Sequence, residues 1–284
     1  MQIIGWVLTS AVSEIAVTDL IQEEGIQAWN TAARNILRLF QVLSVTGMFV
    51  LAPMAFAWLT YLHPEWAVGF GRRTDPVLLL VAAVVILIAG FPVDALVRLN
   101  ENLLMALFDE EGRQWLIDQQ EAMNHQTAML LASDHWVEDL FSLLLIACLP
   151  ALAEELAFRG VLQRELIRGL GVIPGLLLTA LLFALTHWQP VNLLGLFFFG
   201  LILGLMRYWS GSLWYSIAAH FVNNAVVFFS IRYSDLPLEE ALLERPDADA
   251  VVYALTFAGL LIGMSLFWWM LQQRAQRPMG RYDD

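Results

Sequence analysis

Apolar residues in this chain come in long unbroken runs, without the two-residue alternation of a half-buried strand. The runs extend roughly over 39–62, 77–97, 137–158, 172–188, 191–208, 212–231 and 251–271. Crossing a bilayer as helix takes about 20 apolar residues. Only helices and closed barrels satisfy their backbone polar groups in hydrocarbon, and continuous runs select helices. The pattern therefore predicts an all-α, polytopic transmembrane bundle of about seven spans.

Two stretches depart from it. Residues 100–136 carry Leu103, Leu107, Trp115, Leu116, Met123, Leu130 and Leu131 at helical spacing among polar residues, which predicts an extramembrane helical hairpin. Residues 1–36 place Glu14, Asp19, Glu23 and Glu24 between apolar residues and lack the basic start of a signal peptide. They are expected to form an interfacial helix. The chain then divides into this N-terminal helix, two accessory spans over 37–99, the extramembrane segment over 100–136, and a core over 137–231. An acidic loop over 232–250 and a last span with its tail over 251–284 complete it.

Composition agrees with lipid burial. The 284 residues are 59% hydrophobic and 15% charged, against about 45–50% and about 25% in soluble domains. Net charge is −12, all 15 basic residues are Arg, and the acid concentrates in 100–139 and 235–249. A nucleic-acid footprint would be basic, so no nucleic-acid partner is expected. Arg72, Arg73, Arg164, Arg168, Arg207, Arg274, Arg277 and Arg281 fall on one side of a seven-span chain. The positive-inside rule makes that side, with the C-terminus, cytoplasmic. Cys148, inside an apolar run, is expected to be a packed core thiol.

Three short patterns place costly polar groups inside apolar helices: Glu154-Glu155-Leu156-Ala157-Phe158-Arg159, Phe183-Ala184-Leu185-Thr186-His187, and His220-Phe221-Val222-Asn223-Asn224. An ionised group at the bilayer centre costs at least about 2.5–3.5 kcal/mol. Glu155 and Arg159 are i and i+4 in the favourable order for an ion pair. Adjacent residues point about 100° apart, so Glu154 faces elsewhere, free to act as general base or metal ligand. Glu154 lies 17 residues before Gly171 and His187 lies 16 after it (171 − 154 and 187 − 171). At 1.5 Å per residue both sit about 25 Å from that hinge, so antiparallel helices would bring them level. His220 and Asn224 share a helix face and can donate to an oxyanion. His220 could instead ligate a metal, and the count from Gly211 leaves its depth short of Glu154.

At these residues the chain resembles the CPBP family of intramembrane proteases, also called ABI or type II CAAX-endopeptidase-like proteins. Its EExxxR, FxxxH and HxxxN patterns occur in order as Glu154-Glu155…Arg159, Phe183…His187 and His220…Asn224. The resemblance covers roughly 137–231. It implies a CAAX-protease-like intramembrane endopeptidase of a bacterial inner membrane, cleaving membrane-associated peptides or proteins. Glu154 and His187 would activate water, His220 and Asn224 would stabilise the oxyanion, and Glu155 and Arg159 would support the site. The cofactor is unknown: glutamate-type and metal-dependent mechanisms both stay open, with Glu154, His187 and His220 the candidate ligands of a divalent metal such as zinc. The alternatives are a non-catalytic immunity or scaffold protein of the same fold, and an ion-coupled transporter.

Overall fold

The computed structural model describes residues 31–72, 74–133, 135–234 and 249–275. The expected N-terminal interfacial helix and most of the acidic loop lie outside these residues. Among them the chain is helical, with no strand.

α1 (Thr31–Val45) passes through a π-helical turn, Thr46–Leu51, into α2 (Ala52–Thr60). A short α3 (Pro64–Val68) precedes the long α4 (Pro76–Leu107). The Asp75 side chain opens α4 by accepting from the Val77 and Leu78 N–H groups at 2.8 and 3.3 Å, an N-cap. α5 (Glu110–Leu131) is capped in the same way by Asp109, which accepts from Gly112 N at 3.0 Å.

α6 (Trp136–Leu143), a π turn Leu144–Cys148, α7 (Leu149–Glu155), a second π turn Leu156–Leu162 and α8 (Gln163–Leu170) run on as one long element. Gly171, at φ +89°, ends it and turns the chain into α9 (Val172–Thr186). α10 (Leu193–Ser210) ends at Gly211, φ +68°, and α11 (Leu213–Arg232) and α12 (Ala250–Ala275) follow. Such φ values carry a steric cost for any residue with a Cβ.

Among the described residues, five helical stretches are long and apolar enough to cross a membrane: Arg34–Thr60, Pro76–Leu107, Trp136–Leu170, Leu193–Ser210 and Ala250–Gln273. The other two expected spans are helices as well. α9 is a shorter apolar helix, and α11 has the length but carries His220, Asn223, Asn224 and Arg232. Half of the Trp136–Leu170 window is buried, against 17% in the first and last spans, so the motif-bearing element is the innermost. α4 packs against α10, α11 and α12, and α9 lies between α8 and α10. Leu39, Leu43, Leu51, Leu80, Leu261 and Ile262 are exposed on the outside of this bundle. A soluble protein does not leave so much apolar surface uncovered. The chain is a polytopic helical membrane protein.

Two expectations change. The 100–135 stretch is not a self-contained hairpin: α4 runs through position 100 without a break, and α5 packs on α1 rather than back on α4. Arg38 explains this, because its guanidinium reaches Ala132 O at 2.7 Å, Ser142 Oγ at 3.0 Å and Glu138 at 3.5 Å, tying α1 to the α5–α6 junction. Cys148 is exposed on the outer face of its helix rather than packed in the core. The π turn that ends there shifts the helical register, which a 3.6-residue count does not foresee.

Candidate active site

Glu154 and Glu155 close α7 just before the second π turn, and both are buried. Glu155 Oε1 accepts from Arg159 Nη1 at 2.8 Å and from His220 Nδ1 at 2.9 Å, in a pocket where all three side chains are almost completely enclosed. Arg159 also donates from Nη2 to Gly200 O at 3.1 Å, and its guanidinium lies 4.3 Å from the Phe183 ring centroid. One carboxylate oxygen thus holds a cation from its own helix and an imidazole from α11.

Glu154 points elsewhere, as the 100° step demands. Its Oε2 is buried with no hydrogen-bond partner and lies 3.8 Å from His187 Nε2. The other ring nitrogen, His187 Nδ1, is 2.8 Å from Phe183 O. A carbonyl only accepts, so Nδ1 carries the proton and a neutral ring leaves the Nε2 lone pair facing Glu154. A gap of 3.8 Å is too wide for a direct hydrogen bond. A water about 2.8 Å from each atom would fit the span.

His220 does not join this pair directly. Its Nδ1 is committed to Glu155, and its ring packs edge-on to Phe199 and Phe183 at 5.3 and 6.0 Å between centroids. Phe183 in turn packs on His187 at 4.6 Å, so this one ring separates and braces both histidines. Asn224 donates from Nδ2 to Ile146 O at 3.4 Å. That acceptor exists because Pro150, four residues on, has no N–H to offer it. The second Nδ2 hydrogen of Asn224 is not used by that bond. Asn223 donates to Asn224 Oδ1 at 3.2 Å.

The structure therefore joins Glu154 to His187, and Glu155 to both Arg159 and His220. Three supporting residues escaped the sequence reading. Gln163, buried one turn beyond Arg159, donates to Gly204 O at 3.0 Å, so Arg159 and Gln163 read successive turns of α10 at Gly200 and Gly204. The four-residue spacing shared by both pairs was the available signal. Phe199 on α10 closes the far side of His220. Asn100 donates to Pro190 O and Val191 O at 2.6 and 2.7 Å, fixing the loop after His187 from α4. Nothing local in the sequence marks that contact.

A structural or catalytic zinc takes at least three protein ligands. Among the described residues no group of three His, Cys, Asp or Glu side chains is arranged to hold a metal. Glu154 Oε2 and His187 Nε2 face each other, and His220, with its Nδ1 on Glu155, keeps Nε2 as its open ring nitrogen. The three candidates do not form a common ligand set in this arrangement.

Residues 136–226 match the family model described as type II CAAX prenyl endopeptidase Rce1-like. That stretch contains Glu154, Glu155, Arg159, His187, His220 and Asn224, so the resemblance drawn from the three motifs stands. A Bacillus subtilis (strain 168) protein named Uncharacterized protein YpbD is 35% identical over 95 residues. The matched stretch is 32% of this chain and spans about half, 46%, of that relative. No solved structure matches the chain.

Proposed function

We propose that the chain is an intramembrane endopeptidase of the CAAX-protease-like kind, hydrolysing peptide bonds of membrane-associated peptides or proteins in a bacterial inner membrane. The observation that supports this reading most is the unpartnered, buried Glu154 Oε2 facing His187 Nε2 across 3.8 Å. A buried carboxylate oxygen without a hydrogen bond is costly and needs a reason to persist. A water held between the two is that reason.

In this reading Glu154 accepts a proton as the water oxygen attacks the peptide carbonyl carbon, and His187 orients the water through Nε2. The tetrahedral oxyanion takes the spare Nδ2–H of Asn224. His220, whose Nδ1 is taken by Glu155, can add an Nε2–H only when both ring nitrogens carry a proton. Glu154 then returns its proton to the leaving amine, and the C–N bond breaks. Glu155 and Arg159 hold the helices in register and touch no substrate atom.

The test is cleavage of a membrane-peptide library by protein reconstituted in liposomes. Glu154→Gln keeps the shape and removes the base, so cleavage should fall by about 10²–10⁴-fold. Retained cleavage by a folded Glu154→Gln protein would remove Glu154 from the mechanism.

A further inference from the structure

At the end of α10 remote from His187, three guanidinium groups gather round one join. α10 rises about 20 Å from its His187 end to Arg207. Arg207 Nη2 donates to Val68 O at 3.3 Å, and Arg164 Nη1, from α8, donates to Ala67 O at 2.6 Å. Both carbonyls belong to the last turn of α3. Gly69, at φ +100°, follows, and its would-be Cβ lies only 3.0 Å from the Arg207 guanidinium. Gly69 O accepts from Leu213 N at 3.1 Å, which joins this turn to the start of α11. Arg72 closes the ring, its Nε 3.8 Å from the would-be Cβ of Gly211. Arg164 and Arg72 both lie within electrostatic reach of Arg207.

These charges are poorly balanced. Glu165 is shared between Tyr61 at 2.5 Å and Arg168 at 3.3 Å, and reaches Arg164 only at 3.8 Å. Asp75 spends its carboxylate on the N-cap of α4. Among the described residues neither Arg72 nor Arg207 forms an ion pair, and Arg207 Nε is buried without a hydrogen-bond partner. Two roles account for part of the cluster, since cations suit a helix C-terminus. They do not account for Arg72, whose guanidinium lies 6.0 Å from the Trp66 ring centroid and donates to no carbonyl among the described residues, or for gathering like charges in a protein of net charge −12.

The position adds the second argument. The join sits where two membrane-crossing elements end, α10 and the element closed by α8. Trp66 and Trp214 stand exposed beside it, and Trp214 Nε1 donates to Phe70 O at 3.3 Å. Tryptophans with one polar contact belong at headgroup depth. We propose that Arg72, Arg164 and Arg207 form a binding site for a phosphate-bearing anion, supplied by the headgroup of an anionic lipid. Guanidinium forks match phosphate oxygens, and a phosphate there relieves the mutual repulsion of the three cations. The site is independent of the catalytic reading.

Purified protein in neutral detergent would be challenged separately with phosphatidylglycerol, phosphatidylcholine and inorganic phosphate at equal phosphate concentration. Native mass spectrometry reads retained lipid, and thermal unfolding reads protection. The expected result is selective retention of, and protection by, phosphatidylglycerol. Arg72→Gln should weaken that retention about fivefold, and Arg207→Gln at least as much. Arg72 bonds no backbone carbonyl, so its variant tests the site even if Arg207→Gln loses the α3 join. Arg113→Gln, in an exposed pair on α5, should leave retention unchanged. Protection by inorganic phosphate equal to that by phosphatidylglycerol would keep the anion site and make its source a free ion. Equal retention of both lipids, or undiminished phosphatidylglycerol retention by Arg72→Gln, would overturn the proposal.

Discussion

Glu155 and His220 stand 65 residues apart, yet His220 Nδ1 lies 2.9 Å from Glu155 Oε1 with both side chains buried. The same oxygen takes the Arg159 guanidinium at 2.8 Å. Glu155 is thereby the hinge pin between α7 and α11, and its neighbour Glu154 is released to face His187. Two adjacent carboxylates perform different tasks because a helix turns by about 100° between them.

Removal of that pin should be severe. Glu155→Ala leaves Arg159 buried and unpaired, an expected loss of about 3–5 kcal/mol. Thermal unfolding in detergent measures it. Combining Glu155→Ala with Arg159→Met should cost less than the sum of the two changes, because the contact is already lost in either. Additive losses would show that the pair does not act as a unit.

Gly175 controls the approach of α9 to α8. A Cβ there would meet Ile167 N and Ile167 Cα at 2.7 and 2.8 Å, and backbone cannot step aside like a side chain. Gly175→Ala should cost about 1–3 kcal/mol and open the Glu154–His187 gap, so cleavage should fall further than stability alone explains. Gly169, whose Cβ would meet nothing within 4 Å, is the comparison. Gly169→Ala should be neutral or stabilise by up to about 1 kcal/mol.

Asn100→Ala removes the side-chain donor to both Pro190 O and Val191 O and leaves Pro190 O only the 3.3 Å bond from Leu193 N. The expected loss is about 1–3 kcal/mol, concentrated in the loop that follows His187. Hydrogen exchange should rise around residues 191–193 and stay level in α5. Unchanged exchange there would mean the loop holds itself.

Cys148 is exposed on an apolar helix face inside the Trp136–Leu170 span. In intact membranes it should react slowly with a charged, water-soluble maleimide and fast after denaturation in SDS, since a charged reagent does not enter the hydrocarbon layer. Rapid labelling by the charged reagent in intact membranes would place that face in water.

How much of this was legible in the chain differs by level. The spans follow from the length of the apolar runs, because a hydrocarbon layer sets a minimum helix length whatever the neighbours are. The Glu155–Arg159 pair follows from i, i+4 geometry, and the meeting of Glu154 with His187 from equal counts to the Gly171 hinge. All three are properties of one helix or one hairpin. Tertiary structure alone decided the rest. His220 Nδ1 went to Glu155 on another helix, and Asn224 went to the Ile146 carbonyl. Asn100 reached across to a loop 90 residues away. Such contacts depend on rotation and tilt between helices, and three π turns reset that rotation by a residue each. The buried Glu, His and Asn residues were thus visible as costly groups in the sequence, whereas their division into a Glu154–His187 pair and a Glu155–Arg159–His220 triad was set by how the helices pack.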